Sequence, residues 1–196
     1  MKMSDKVTLE EVERIAVQLS PNEQLKLIAW ICENLSGLLP LKITFCGSSK
    51  TYTNRDADGT PSMEEIRNRL TAQGHICFLP EIPGMPFGMS EQDFIEKFGR
   101  EELLRIKPIV TLEHFKKIEV SDAVLIVNHS RERNREFIEG YFGSNTLMEL
   151  AVAYYLRKKI YILKPFQKNH PHYDEIAKLD AIILNGDLSR IRKIGD

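Results

Sequence analysis

Residues 122–128 read Asp122-Ala-Val-Leu-Ile-Val-Asn128, an unbroken apolar run between two polar residues. Such a run is typical of a strand that is buried on both faces of a parallel sheet. The chain later reads Gly143-Ser-Asn-Thr-Leu-Met-Glu149 and continues into an apolar stretch over 150–156, which predicts a helix. In open α/β folds, ligands bind beside the carboxyl ends of the strands, because backbone amides at helix starts point into that crevice. We therefore predict that Glu149 lies in the first turn of a helix at this edge.

The same alternation of strand and helix extends over most of the chain. Strands are predicted at 41–46, 75–79, 122–127, 159–163 and 181–184, and helices at 62–73, 111–120 and 145–156, with a shorter helix after Ser90. Parallel strands need crossover connections, and these are right-handed. The pattern predicts a flavodoxin- or Rossmann-like α/β fold with a doubly wound five-stranded parallel sheet in the order 2-1-3-4-5. The irregular residues 81–89 are interpreted either as a loop over the site or as an ordinary connection.

The first forty residues differ in character from the rest of the chain. We assign residues 1–40 to an N-terminal helical hairpin and residues 41–196 to the α/β domain. Capping boxes at Thr8–Glu11 and Ser20–Glu23 predict two helix starts, the second with Pro21 in the favoured first position. Two interpretations stay open: the hairpin packs on the main domain or on another copy of it, or it is a separate recognition module.

Composition narrows the classes of function. The chain has 27 basic and 28 acidic residues, so no excess of charge favours binding to nucleic acid or to a membrane surface. No apolar run approaches the roughly 20 residues that span a bilayer, and the start lacks the apolar segment of a signal peptide. The spacing of Cys32, Cys46 and Cys77 suits neither a metal site nor a disulfide framework. It predicts reduced core thiols, no metal and a cytoplasmic protein.

Three segments are predicted to meet at the carboxyl edge of the sheet. After the first strand, Gly47 permits close backbone approach, and the serines that follow it could bind an anionic group. Asn128 ends the third strand and precedes an arginine-rich stretch, interpreted as a solvated loop with phosphate binding as the alternative. The third segment begins at Gly143. The predicted substrate-binding residues are Gly47, Ser48, Ser49, Asn128, Gly143, Ser144 and Asn145.

These segments resemble those of the nucleoside 2-deoxyribosyltransferase superfamily, which includes the deoxynucleoside 5′-monophosphate N-glycosidases. The resemblance covers residues 41–187 and looks closest to an uncharacterised branch. It is carried by Phe45-Cys-Gly-Ser48, Asp122-Ala-Val-Leu-Ile-Val127, Gly143-Ser-Asn-Thr-Leu-Met-Glu149 and Lys158-Lys-Ile-Tyr-Ile-Leu163, and within the branch by Glu113-His-Phe-Lys-Lys117, Gly140-Tyr-Phe-Gly143 and Leu184-Asn-Gly-Asp-Leu188. It implies a homo-oligomer whose sites borrow residues from a neighbouring subunit.

The resemblance implies that Glu149 is a nucleophile that attacks C1′ of a (deoxy)ribosyl group. A carboxylate in this role divides glycosidic cleavage into two easier displacements. A position in the first helical turn would favour the ionised carboxylate through the helix dipole, by roughly 0.3–1 kcal/mol. The alternative is that Glu149 only completes a helix cap with Ser144 or Asn145.

His114 is the second candidate catalytic residue and stands where enzymes of the superfamily carry an aspartate. A histidine could protonate the leaving base, because its unperturbed pKa of about 6.5 lies near working pH. The alternative is a helix histidine with a structural role. Two further positions depart from the superfamily: Thr44 stands where the glycosidases carry a tyrosine, and Gly143 where the transferases carry an aspartate.

Two hypotheses about function follow from these residues. The first is an enzyme, an N-glycosidase or deoxyribosyltransferase that cleaves the N-glycosidic bond of a (deoxy)nucleoside or nucleoside 5′-monophosphate. The second is a catalytically inactive nucleotide-binding or sensing module whose helical region mediates assembly. In both cases we expect a small-molecule nucleoside or nucleotide as partner, neither nucleic acid nor a membrane, and no cofactor.

Overall fold

The computed structural model describes residues 9–35, 40–48, 55, 59–80, 89, 91–133 and 136–191. These residues fall into two compact units, one with the N-terminal helices and one that begins at Pro40. The predictions for Ser49, for residues 81–88 and for the capping box at Thr8 concern positions outside the described residues.

The N-terminal unit contains α1 (Leu9–Gln18) and α2 (Pro21–Leu35). The hydroxyl of Ser20 accepts a hydrogen bond from the backbone N–H of Glu23 at 3.4 Å, and the Glu23 carboxylate accepts one from the Ser20 N–H at 2.9 Å. These two bonds satisfy amides that a helix start leaves without partners. The predicted capping box at Ser20 is therefore confirmed, and α2 starts at Pro21.

The second unit alternates strands and helices along the chain. Its described strands are β1 (Lys42–Gly47), β2 (Ile76–Phe78), β3 (Ala123–Val127), β4 (His129–Arg133), β5 (Glu136–Tyr141), β6 (Lys159–Ile162) and β7 (Ala181–Ile183). Its described helices are α3 (Met63–Ala72), α4 (Glu91–Phe98), α5 (Arg100–Glu119), α6 (Ser144–Tyr155) and α7 (Tyr173–Ile176), followed by a short 3-10 helix at Leu188–Arg190.

Five strands form a parallel sheet in the order β2-β1-β3-β6-β7. Counted along the chain, this order is 2-1-3-4-5, so the predicted α/β class, strand number and order are confirmed. Ile43 of β1 is paired with Cys77 of β2 on one side and with Ala123 of β3 on the other. Because the chain crosses from one side of β1 to the other, the carboxyl ends of β1 and β3 flank the switch point at which α/β folds bind ligands.

Two apolar layers cover the two faces of this sheet. Alternate residues of β3 point to opposite faces, so Leu125 packs with α3 residues such as Ile66, whereas Ile126 packs with α6 residues such as Leu150. All four side chains are fully buried. Burial of each such side chain contributes roughly 1.5–3 kcal/mol, so these layers, rather than polar contacts, hold the sheet between its helices.

Two predicted elements are wrong. The helix expected at 111–120 begins at Arg100 instead and includes Pro108, which lacks the N–H that would continue the hydrogen-bond ladder. The solvated loop expected after Asn128 is an antiparallel hairpin of β4 and β5. Its strands are polar, so they lack the continuous apolar character of the sheet strands. Within the described part of the chain, no helix has both the length and the apolar character needed to cross a membrane.

Candidate active site

Cys46 is the first of three side chains that meet near the end of β1. Ile43 and Phe45 of this strand point into the layer that contains α3, whereas Cys46 points into the layer that contains α5 and α6. Thr44 lies on the same face as Cys46 and its hydroxyl is 2.7 Å from that of Ser121. Thr44, one of the positions that depart from the superfamily pattern, is therefore part of a buried hydroxyl pair.

His114 is the second member of the cluster. Together with Ile118, one turn later, it forms the buried face of α5. Its Nε2 lies 3.8 Å from Sγ of Cys46 and 3.6 Å from the nearer carboxylate oxygen, Oε1, of Glu149. The structure thus brings the two predicted catalytic residues, His114 and Glu149, into contact.

Glu149 is the third member and lies in the second turn of α6, so its predicted place in the first turn is wrong. It borders the buried face formed by Thr146, Leu150 and Ala153, and only 14% of its side chain is exposed. The start of α6 has no side-chain cap. The alternative that Glu149 completes a cap with Ser144 or Asn145 is therefore excluded.

Burial controls the protonation of this pair. Removal of the Glu149 carboxyl from water raises its pKa from 4.5 to about 8. Burial lowers the pKa of His114 to about 4, with a smaller effect from the nearby positive charge of Lys117. A pKa of about 8 favours the protonated carboxyl at neutral pH, because desolvation is a larger effect than the helix dipole, which acts mainly on the first turn.

The two groups act as one titrating unit. Since the pKa is about 4 for His114 and about 8 for Glu149, the pair holds one titratable proton between these pH values, and the two atoms that would exchange it are 3.6 Å apart. Transfer of that proton to the imidazole would leave a carboxylate and an imidazolium side by side. The other carboxyl oxygen, Oε2 of Glu149, is buried and has no hydrogen-bond partner among the described residues.

The thiol of Cys46 was not predicted as a site residue. It is fully buried, and desolvation, followed by the charge of Glu149, raises its pKa. The sequence did contain a signal for it, because the two-residue period of β1 places Cys46 on the helix-facing side, one residue before Gly47. The sequence did not indicate that α5 buries His114 beside Cys46.

The packing around Gly47 leaves no room for a side chain. A Cβ there would lie 2.8 Å from the carbonyl oxygen of Val127 and 2.5 Å from Cε of Met63. The groups that approach Gly47 in the structure belong to β3 and α3, and the predicted approach of a ligand stays a prediction. Ser48 follows it directly and is exposed at the end of the strand.

The start of α6 has exposed residues and a backbone that suit the predicted contact with an anion. Gly143 is the residue before the helix and has extended backbone angles, φ −88° and ψ 179°. Ser144 and Asn145 are exposed in the first turn, where backbone amides have no partner within the helix. These features keep Gly143, Ser144 and Asn145 as candidate contacts of a ligand.

The side chain of Asn128 forms hydrogen bonds with other residues of the protein. Its side-chain amide donates to the carbonyls of Gly140 and Lys164 at 3.1 and 2.8 Å, and its carbonyl accepts from the N–H of Lys164 at 2.9 Å. The residue ties the end of β3 to the base of the hairpin and to the segment after β6. Both amide hydrogens of Asn128 are used in these bonds, and the predicted contact with substrate stays a prediction.

The hairpin is anchored by a cluster of rings. His170 packs on Phe142 at a centroid distance of 4.7 Å, and its Nε2 faces the N–H of Phe142 while its Nδ1 faces the N–H of His172. A neutral imidazole has only one acceptor nitrogen, so at most one of these contacts is a hydrogen bond at a time. Arg131 lies over the ring of Tyr141 at 5.1 Å, which stabilises the junction of the two strands.

Comparison of the chain with protein-family models, with curated proteins and with solved structures found no match.

Proposed function

We propose that this chain is an N-glycosidase or deoxyribosyltransferase that cleaves the N-glycosidic bond of a (deoxy)nucleoside or nucleoside 5′-monophosphate. One observation carries the proposal: His114 and Glu149, which come from different helices, meet beside the last residues of β1. A nucleophile and a proton donor at one site are what a glycosidic cleavage with a covalent intermediate requires. The sequence segments that resemble the nucleoside 2-deoxyribosyltransferases supply the substrate class.

The reaction begins with movement of the shared proton from Glu149 to His114. A carboxylate oxygen of Glu149 then attacks C1′, the C1′–N bond breaks, and its electrons leave with the base, which takes the proton that His114 supplies. In the second half, water or an incoming base attacks C1′ and the carboxylate is released. The proton lost by the attacking group is taken by His114 and passes back to the released carboxylate of Glu149, so the pair ends as it began.

Binding of the substrate changes the state of the pair. In ligand-free enzymes such contacts are often longer than hydrogen bonds and tighten when the substrate is bound, so 3.6 Å between His114 and Glu149 is compatible with proton transfer. A 5′-phosphate or sugar hydroxyl is expected near Ser48 and the first turn of α6, because backbone amides at a helix start bind such groups. The substrate thus enters at the carboxyl edge of β1 and β3.

The test is release of free base from a panel of nucleosides and their 5′-monophosphates, followed by chromatography. We expect turnover of at least one member by the wild-type chain and loss of that turnover, by at least about 1000-fold, in Glu149→Ala, since removal of a nucleophile typically costs that much. Glu113→Ala is the matched control, because this carboxylate adjoins His114 in sequence but pairs with Lys116 at the surface. Equal rates for wild type and Glu149→Ala would refute the proposal.

A second function is favoured by a specific observation. The raised pKa of Glu149 makes the carboxyl a poor nucleophile in the ligand-free protein at neutral pH. The chain would then be a nucleotide-binding or sensing module without chemistry. Saturable binding of a nucleotide, measured by calorimetry, with no base released over a long incubation would favour this second function.

A further inference from the structure

We propose that Cys46, His114 and Glu149 form a three-ligand site for a divalent zinc ion, in which Sγ, Nε2 and a carboxylate oxygen are the donors. Each of these atoms lies within 4.8 Å of the other two. The three residues belong to β1, α5 and α6, so the site is held by three elements of the sheet domain. Nothing in the proposed glycosidic chemistry requires an ion at this place.

The distances agree closely with those of a bound ion. Tetrahedral zinc with Zn–S of about 2.3 Å and Zn–N or Zn–O of about 2.0–2.2 Å separates its donor atoms by about 3.4–3.6 Å. The observed separations are 3.8 Å from Sγ of Cys46 to Nε2 of His114 and 3.6 Å from that nitrogen to Oε1 of Glu149. Contraction by a few tenths of an ångström at these two contacts would bring them to ligand geometry.

Burial of these three side chains is energetically unfavourable without a cation. A buried carboxyl needs a partner, yet Oε2 of Glu149 has none among the described residues. Nε2 of His114 contacts the thiol of Cys46 at 3.8 Å but lies 3.6 Å from the carboxyl of Glu149, which is longer than an ordinary hydrogen bond to oxygen. An ion bound between the three donors would neutralise the carboxylate and the thiolate and so repay their removal from water.

The identity of the donors selects the metal. One thiolate, one imidazole and one carboxylate suit zinc, whereas magnesium and calcium prefer oxygen ligands alone. Three protein ligands leave a fourth position for water, as in zinc sites that keep an open position. Binding releases the thiol proton of Cys46, so affinity is expected to rise with pH.

Occupancy by zinc and glycosidic chemistry exclude each other, because both use the carboxylate of Glu149. In relation to the proposed function, zinc is therefore an inhibitor. The metal-binding inference stands without that function, because it depends only on where the three donor atoms lie.

The test uses the full chain, freed of metal with a chelator and titrated with Co²⁺ as a spectroscopic substitute for zinc. We expect one ion per chain, tetrahedral visible bands and a near-ultraviolet thiolate charge-transfer band, all displaced by Zn²⁺. Cys46→Ser should abolish the charge-transfer band and weaken zinc binding by at least roughly 10- to 100-fold, since loss of an outer-shell partner alone costs that much. Cys77→Ser is the matched control, as a half-buried thiol of β2, and should behave as wild type.

Circular dichroism of each variant shows whether it is folded, and His114→Gln provides a second test if Cys46→Ser does not fold. The proposal is overturned if the wild-type chain binds no ion, or if a folded Cys46→Ser or His114→Gln binds zinc as tightly as wild type. Base release is measured separately in chelator. Metal binding without base release would contradict the proposed function and support the zinc site. Base release without metal binding would support the proposed function and contradict the zinc site.

Discussion

Glu149 is one residue whose ionisation makes the stability of the protein depend on pH. Its carboxyl has a pKa of 4.5 in the unfolded chain and about 8 in the folded one. Below pH 4.5 the group is protonated in both states and costs nothing. As pH rises from 4.5 toward 8, Glu149 loses its proton in the unfolded chain before it does so in the folded protein. The free energy of unfolding therefore falls over this range and levels off above the folded pKa.

Glu149→Gln should therefore stabilise the protein, and only at the higher pH. Glutamine has the same shape and cannot ionise, so we expect the free energy of unfolding to rise by on the order of 2 kcal/mol at pH 7.5 and to stay unchanged at pH 4. The measurement is chemical denaturation at both values in chelator. A variant equally stabilised at both pH values, or destabilised at pH 7.5, would show that Glu149 is ionised in the folded state.

At the scale of single elements, α6 lacks the capping residue that its start could accommodate. Gly143 has extended backbone angles, and a Cβ would meet only the Tyr141 hydroxyl at 3.9 Å. Gly143→Asp should provide the cap and favour the helix dipole, raising the free energy of unfolding by a few tenths to about 1 kcal/mol. Thermal melting checks this against Gly143→Ala, which adds the Cβ alone. An aspartate variant no more stable than the alanine variant would contradict the expectation.

The β4–β5 hairpin depends on a backbone approach that only glycine permits. Gly140 has φ +66°, and a Cβ would lie 2.1 Å from the carbonyl oxygen of Pro165. We expect Gly140→Ala to lower the free energy of unfolding by at least about 2 kcal/mol, because backbone strain and a clash with a carbonyl add. Gly186→Ala is the control for strain alone, with φ +79° and open space around it. Equal losses in urea denaturation of the two variants would contradict the role assigned to Pro165.

The elements differ in how far the sequence could predict them. The sheet strands were predictable because runs such as 123–127 are apolar throughout, which only burial on both faces explains. The hairpin was not, since its strands are polar and pair with each other locally. The early start of α5 was hidden by Pro108, whose cost is outweighed by tertiary packing of the helix.

The candidate site, like the fold, could be predicted from the sequence only in part. The region of Glu149 was predictable because chain order fixes which strand ends meet in a doubly wound sheet. The contact of His114 with Glu149, the approach of Cys46 and the raised pKa of the carboxyl depend on how deeply α5 and α6 pack. No local pattern encodes that depth. The expectation of no metal was based on the spacing of the cysteines along the sequence. In the structure, Cys46 of β1 lies beside His114 of α5 and Glu149 of α6, which are far from it in sequence.

At the scale of the whole molecule, the sheet domain contains everything that the proposed chemistry uses. The unit that begins at Pro40 includes every described strand, both apolar layers and the three clustered side chains. A chain without residues 1–39 should therefore fold cooperatively and keep base release within about twofold, since compact units with their own core commonly fold alone. Circular dichroism melts and the base-release assay check this. Loss of the cooperative melt would show that the N-terminal unit is part of the fold.

The most direct test of the central claim is detection of a glycosyl group on Glu149. The full chain in chelator is mixed with its best substrate from the base-release panel, quenched in acid during turnover and digested for peptide mass spectrometry. We predict that the peptide containing Glu149 gains the mass of one (deoxy)ribosyl residue, and that the addition is absent in Glu149→Ala and present in Glu113→Ala. Base release at the wild-type rate by Glu149→Ala, or a glycosyl group found on another residue instead, would contradict the role assigned to Glu149.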